Sequence, residues 1–187
     1  MRRKDREMGR EFGLEVIDKS KFGIISMLDQ DKEPYGLPLS IVRDEENLYF
    51  HSAMDGRKVI IFEKNPHVSI AFVGQVVVPE NYTKEELDEI AKDESGAGLL
   101  LSHVFTTEFQ SAIVKGKVVL IEDQEEKIRA MKLICEKYTP SKMDYFDLAI
   151  HAGLNSTHVY KIGIEEITAK RKRYNSKGEE MKWASQA

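Results

Sequence analysis

Apolar and polar residues alternate along much of this chain with a period of two, which predicts a sheet-forming protein. Phe22 to Leu28 is rich in apolar and branched side chains and reads as a strand, closed by the polar turn Asp29-Gln30-Asp31-Lys32-Glu33. From Pro34 to Arg43 the odd positions Tyr35, Leu37, Leu39 and Ile41 are apolar, as in a strand with one buried face. Pro34 and Pro38 cannot donate a ladder amide, so this strand belongs at an edge, at a bulge or facing a ligand. Asp44-Glu45-Glu46-Asn47 turns the chain into a third strand, Leu48 to Ser52. With connections this short, an antiparallel meander is the economical topology.

The period then changes. Asp55-Gly56 breaks the strand, and Val59, Ile60, Ile61 and Phe62 predict a short helix, Gly56 to Glu63, stopped by Asn65-Pro66. Val68, Ile70 and Phe72 predict a fourth strand. Tyr82 to Lys92 predicts a helix with Thr83 as N-cap and Glu86 at the capping-box spacing, interrupted by Ser95-Gly96-Ala97-Gly98, and together residues 80–103 read as a helical insertion. Ala112, Val114, Gly116, Val118 and Leu120 alternate with Lys115 and Lys117 in a long half-exposed strand. Asp123 to Tyr138 carries Ile128, Met131, Ile134 or Cys135, and Tyr138 at helical spacing. Met143, Phe146 and Ile150 suggest a further helix, and Tyr160, Ile162 and Ile164 a last strand. Residues 1–11 form a charged leader and 170–187 a charged tail. Strands outnumber helices and no βα unit repeats, so the expected fold is one mainly β (α+β) domain over residues 1–187, a small mixed barrel with peripheral helices.

A net charge of −4 argues against a broad nucleic-acid surface, which needs a basic patch able to release condensed counterions. The local exception, Lys170-Arg171-Lys172-Arg173, is flanked by Glu165, Glu166, Glu179 and Glu180 and reads as a solvated tail. A single Cys135, placed on an apolar helical face, excludes an intrachain disulfide and suits a reducing compartment. Without an apolar run of bilayer length or a signal-peptide core, no membrane partner is expected, and the cytoplasm is the expected location. His67, His103, His151 and His158 share no metal-ligand spacing, and no metal site is expected. Trp183, alone in the polar tail, is expected to be disordered, the alternative being an aromatic lid. Neither a nucleophile elbow, a phosphate loop nor a dinucleotide glycine fingerprint is present, and no catalytic residue is assigned.

The strand-to-helix junction holds the candidate chemistry. Ser52 supplies a hydroxyl, Gly56 a flexible turn, and Arg57 and Lys58 two cations in the first helical turn. A helix start presents unpaired amides and a partial positive charge, so this arrangement favours an anion, above all a phosphate. His51 is placed on the ligand side of the same segment. Residue chemistry alone goes no further than an anion.

Several strings, in their joint spacing, extend the reading. They are Gly23-Ile24-Ile25-Ser26-Met27, Pro34-Tyr35-Gly36-Leu37-Pro38-Leu39-Ser40, Leu48-Tyr49-Phe50-His51-Ser52-Ala53 with Gly56-Arg57-Lys58, and Asn65-Pro66-His67-Val68; Thr106 to Lys117 and His158-Val159-Tyr160-Lys161-Ile162 follow. From about Phe12 to Lys172 the chain resembles the pyridoxamine 5′-phosphate oxidase-like FMN-binding split-barrel family, and within it the 5-nitroimidazole resistance (nitroimidazole reductase) branch. The resemblance implies an FMN-binding split β-barrel with peripheral helices. It places the FMN phosphate and ribityl chain on His51, Ser52, Ala53, Gly56, Arg57 and Lys58, and the isoalloxazine ring along Pro38, Leu39 and Ser40. It implies a homodimer in which Phe109, Gln110 and Ser111 of the partner close the site. The implied activity is reduction of small electrophiles such as nitro compounds by a flavoprotein oxidoreductase with a nicotinamide donor; the alternative is a non-catalytic flavin or haem-type carrier. The insertion at 80–103 is longer than the branch pattern and is expected near the flavin mouth. A true pyridoxamine phosphate oxidase is disfavoured, because Arg171 and Arg173 lack the accompanying motif.

Overall fold

The computed structural model describes residues 2–175 and 178–183; the other positions of the expected tail lie outside the described residues. Among the described residues the strands are β1 (Glu7–Met8), β2 (Gly23–Leu28), β3 (Pro34–Leu39), β4 (Val42–Asp44), β5 (Asn47–Ser52), β6 (His67–Val77), β7 (Glu108–Leu120), β8 (His158–Gly163) and β9 (Glu166–Lys172). The helices are α1 (Arg10–Lys19), α2 (Arg57–Lys64), α3 (Lys84–Ile90), α4 (Ala97–Leu99), α5 (Gln124–Tyr138) and α6 (Phe146–Gly153). No helix among the described residues is long and apolar enough to cross a membrane.

All strand pairs are antiparallel, and the strand path runs β3-β2-β6-β7-β8-β5-β4, with β9 on β7 and β1 on β9. The expected meander therefore holds only in its halves. β2 pairs with β3 and β4 with β5, but β5 continues onto β8. Strands β3 and β4 lie at opposite ends of the path although only Ser40 and Ile41 separate them, so the sheet curls back on itself without closing. Helix α5 satisfies the backbone at this crossing. Tyr138 Oη accepts from the Ile41 amide at 2.9 Å and donates to its carbonyl at 2.8 Å, while Lys137 Nζ donates to the same carbonyl at 3.0 Å. These bonds replace the ladder partners that Ile41 lacks.

The sheet forks on β7. Phe109 to Lys115 pairs with β9, whereas Val118 to Leu120 pairs with β8. Gly116 stands at the fork, where an added Cβ would lie 2.3 Å from the Gly163 carbonyl oxygen. Inward residues Ile25, Ile70, Phe72, Ala112, Val114 and Ile162 are fully buried and make the core with the buried side of α1. Each large apolar side chain buried this way contributes about 1.5–3 kcal/mol.

Both ends of the domain carry more structure than a charged leader and a charged tail. Helix α1 buries Gly13, Leu14, Val16 and Ile17, although it starts in the charged leader. Strand β9 takes up Lys170, Arg171 and Lys172, which are thus sheet residues and not a free tail, because Ile167 and Ala169 face the core and the strand pairs with β7 along its whole length. Trp183 is likewise packed, not disordered: its ring lies 3.5 Å from the Arg171 guanidinium carbon, and its amide donates to the Asp5 carbonyl at 3.1 Å.

Leader and tail are joined by charge. Arg6 Nε donates to Glu180 at 2.6 Å, and Lys182 reaches both Asp5 and Glu180 at 2.9 Å. Burial works against ionisation of Glu180, but the Arg6 and Lys182 bonds overcome it and hold its pKa down to about 2. Hydrogen bonds from Arg3 and Lys182 hold Asp5 well below the usual carboxylate range. A carboxyl depressed on folding stabilises above its unfolded pKa and loses that contribution as pH falls through the folded one. Emission of Trp183, the single tryptophan, is therefore expected to stay constant from neutrality down to about pH 4 and to change between there and about pH 2. Glu180→Gln is expected to give the shifted spectrum already at pH 7; a variant spectrum identical to wild type across the range would refute the coupling.

Candidate functional site

The segment from His51 to Lys58 rests on a rigid base. Phe50 of β5, Phe62 of α2 and Tyr160 of β8 pack together, with Phe50 and Tyr160 stacked at 5.1 Å and Phe62 edge-on to both at 5.9 and 5.3 Å. Such pairs add about 0.5–1.5 kcal/mol beyond area burial. They lock β5 and β8 to the body of α2.

Between these elements Gly56 adopts φ 109° and ψ 170°, a conformation essentially restricted to glycine, with open space where a Cβ would stand. Helix α2 has no side-chain cap, in contrast to α3, capped by Thr83 with Glu86 in the expected capping box, and α5, capped by Asp123. The Val59 amide donates to the Gly56 carbonyl at 3.0 Å, and the Arg57 and Lys58 amides ahead of it are left for another acceptor. Lys58 makes no ion pair among the described residues. Arg57 is engaged: it donates to Asp29 at 2.7 Å, lies 3.9 Å from Glu33 and sits 4.6 Å over the Tyr35 ring. Asp29 is held below its ordinary pKa, first by this hydrogen bond. Ser52 is buried and its hydroxyl donates to the Ala53 carbonyl at 2.6 Å. His51 is exposed, and desolvation first, then the Lys58 charge, push its pKa below the ordinary histidine value.

The other expected site residues fall elsewhere. Pro38 faces outward from the edge strand β3, next to Ile24 across the ladder, while Leu39 turns inward and packs against the core. Ser40 follows β3 at the crossing to β4. Gln110 lies on β7 between Phe109 and Ser111, both half-buried. Pro38 and Gln110 share a cleft of about 720 Å³ with Phe22, Ile24, Val73 and Gln75. Gly56 and Arg57 line a separate hollow of about 370 Å³ with Asp29 and Ile60. Of the expected residues, Gly56 and Arg57 thus meet in one hollow and Pro38 and Gln110 in another, while Leu39, Ser40, Phe109 and Ser111 line neither. Sequence reasoning missed Asp29 and Tyr35 as partners of Arg57, since nothing local signals an ion pair across the β2–β3 turn.

A forked antiparallel sheet that curls without closing, with helices at its rim, defines the split-barrel class. The chain belongs to the pyridoxamine 5′-phosphate oxidase family, whose profile matches residues 10–171. It is similar to a protein of Bacteroides thetaiotaomicron provisionally named for 5-nitroimidazole antibiotic resistance, at 22% identity over 88% of this chain and 86% of that one, with a TM-score of 0.64. It is also similar to the FAD and heme binding protein of Mycobacterium smegmatis, at 14% identity over 89% and 73% of the two chains and a TM-score of 0.65. The flavocytochrome Anf3 of Azotobacter vinelandii matches at 15% identity over 88% and 68%, also with a TM-score of 0.65. At these identities the structures speak for the fold. A search among curated proteins found no match.

Proposed function

We propose that the chain is an FMN-dependent oxidoreductase that acts as a homodimer on small electrophiles such as nitro compounds. The observation that carries this reading is the uncapped start of α2, preceded by a glycine at φ 109° and bearing Lys58 free of any ion pair among the described residues. The residues there fit a phosphate. The first-turn amides and Lys58 would take the phosphate, with Arg57 joining once it leaves Asp29, and His51 would border the ribityl chain. FMN, when bound, supplies hydride or electron transfer, so the chain need only bind, orient and exclude water. Pro38 and Ser40 would meet the ring, and Phe109, Gln110 and Ser111 of a second copy would close the site. The second copy finds support in the exposed apolar side chains Ile24, Val73 and Ile113 on the outer sheet face. Family membership supports flavin, and the similarity to a protein named for nitroimidazole resistance supports the acceptor class.

Protein purified from its expression host is expected to be yellow and to release FMN on denaturation. A nicotinamide donor is expected to bleach the colour and a nitroaromatic to restore it under anaerobic conditions. A colourless protein that cannot be reconstituted with FMN would overturn the reading. Flavin or haem that binds tightly but shows no turnover would favour a cofactor carrier, a reading to which the two haem- or flavocytochrome-named relatives lend support.

A further inference from the structure

The turn between β2 and β3 stands against the start of α2, and one carboxylate in it is used twice. Asp29 Oδ1 accepts from the amides of Asp31 at 3.0 Å and Glu33 at 2.9 Å, which fixes the turn, while Oδ2 accepts from Arg57 Nη2 at 2.7 Å. The Asp29 side chain is only 16% exposed, whereas Arg57 is half-exposed. Backbone bonds from Asp29 to both Lys32 and Glu33 complete the turn, so the carboxylate stays in place when Arg57 moves. Tyr35 backs the guanidinium at 4.6 Å, and Glu33 stands 3.9 Å from it. Asp29 is in turn held ionised, first by the arginine and then by the Glu33 amide.

An incoming phosphate must therefore compete with a carboxylate for Arg57. A guanidinium pairs with either group through the same fork of donors, so charge decides the exchange. A terminal phosphate monoester carries about −1.5 to −2 charges at neutral pH, more than the carboxylate it displaces. A phosphate bridged at two oxygens carries a single charge, as in a nucleic-acid backbone, and gains nothing over Asp29. What lies beyond the phosphate meets a second obstacle. The hollow of about 370 Å³ beside Gly56 and Arg57 is lined by Asp29, Gln30 and Asp31 of the turn and by Ile60 and Ile61 of α2. Once Arg57 turns to the ligand, Asp29 is left there without its cation, and a further phosphate would meet two carboxylates.

We infer that Asp29 is a specificity-determining residue of the α2 junction: it reserves Arg57 for a terminal phosphate monoester, and so selects FMN against FAD, whose corresponding phosphate is bridged to a second one. Asp29 acts through Arg57 and, against FAD, through the charge it leaves in the hollow. The inference rests on the flavin reading above and adds to it the class of flavin that the junction accepts.

Isothermal titration calorimetry of flavin-free full-length protein, with FMN and separately with FAD, reads the selection directly. The wild-type protein is expected to bind FMN about tenfold or more tighter than FAD, the effect of one unit charge a few ångströms from another. Asp29→Asn keeps an oxygen for the two turn amides and offers Arg57 an amide in place of a carboxylate, with folding checked by circular dichroism. This variant is expected to tighten FAD more than FMN and to bring the two affinities within about threefold of each other. Glu33→Gln, at the longer distance from Arg57, is expected to shift the ratio in the same direction by a smaller factor. Wild-type affinity for FAD equal to or above that for FMN would overturn the selection. So would an unchanged ratio in folded Asp29→Asn, or in Glu33→Gln where Asp29→Asn does not fold. These results would leave the flavin reading standing, whereas binding of neither flavin would overturn that reading and the selection with it.

Discussion

Changing Arg57 and Lys58 together to alanine is expected to weaken FMN binding a hundredfold or more. Hydrogen bonds to charged groups contribute roughly 1.5–3 kcal/mol each, so losing both cations costs about 3–6 kcal/mol, at about 1.4 kcal/mol per tenfold. The two residues are unequal. Arg57 starts from an ion pair with Asp29 that phosphate binding must break, whereas Lys58 has none to give up among the described residues. Lys58→Ala alone is therefore expected to cost more affinity than Arg57→Ala alone. Titration of apoprotein by quenching of FMN fluorescence measures all three. Wild-type affinity in the double variant would place the phosphate away from α2.

Gly116→Ala is expected to destabilise the fold strongly. The new Cβ would stand 2.3 Å from a backbone oxygen of Gly163 and 2.7 Å from Cγ2 of Ile162. A flexible side chain could move aside, but the carbonyl is fixed where β7 passes from β9 to β8. Overpacking in a tight core costs about 1–3 kcal/mol, and the upper end is expected here. Gly163→Ala, with only the Asn47 side chain at 4.0 Å, is expected to be nearly neutral. Urea unfolding of both variants tests the contrast, and equal midpoints would contradict it.

Much of the architecture was legible because each strand of the core has one wet face. Ala112, Val114 and Val118 are buried with Lys115 and Lys117 between them, and the alternation announced β7 directly. Thr83 and Glu86 announced the cap of α3 by a local rule that held. Two prolines left β3 an edge, a bulge or a ligand-facing stretch, and of these an end of the strand path is where it lies. Other features depend on contacts that no local window contains. β9 has only Ile167 and Ala169 to bury, so its lysines and arginines read as a solvated run. The step from meander to fork depends on β5 choosing β8, and nothing near residue 50 encodes that choice. At the site, the glycine turn and the two cations were legible from strand, break and helix, whereas the capture of Arg57 by Asp29 and Tyr35 was not.

The pairing of β5 with β8 also bears on how the protein is made. Asn47 meets Gly163 in that ladder, more than a hundred residues later in the chain. Pairings this distant in sequence slow folding, because loop-closure entropy is lost before the contacts form. On the ribosome, the β4–β5 hairpin emerges early and waits with an unpaired edge until the last third of the chain arrives. Such an edge is open to association with other nascent chains. Fewer initiations, from a weaker promoter or ribosome-binding site, should therefore raise the folded fraction, by lowering the number of chains that wait with that edge uncovered at any one time.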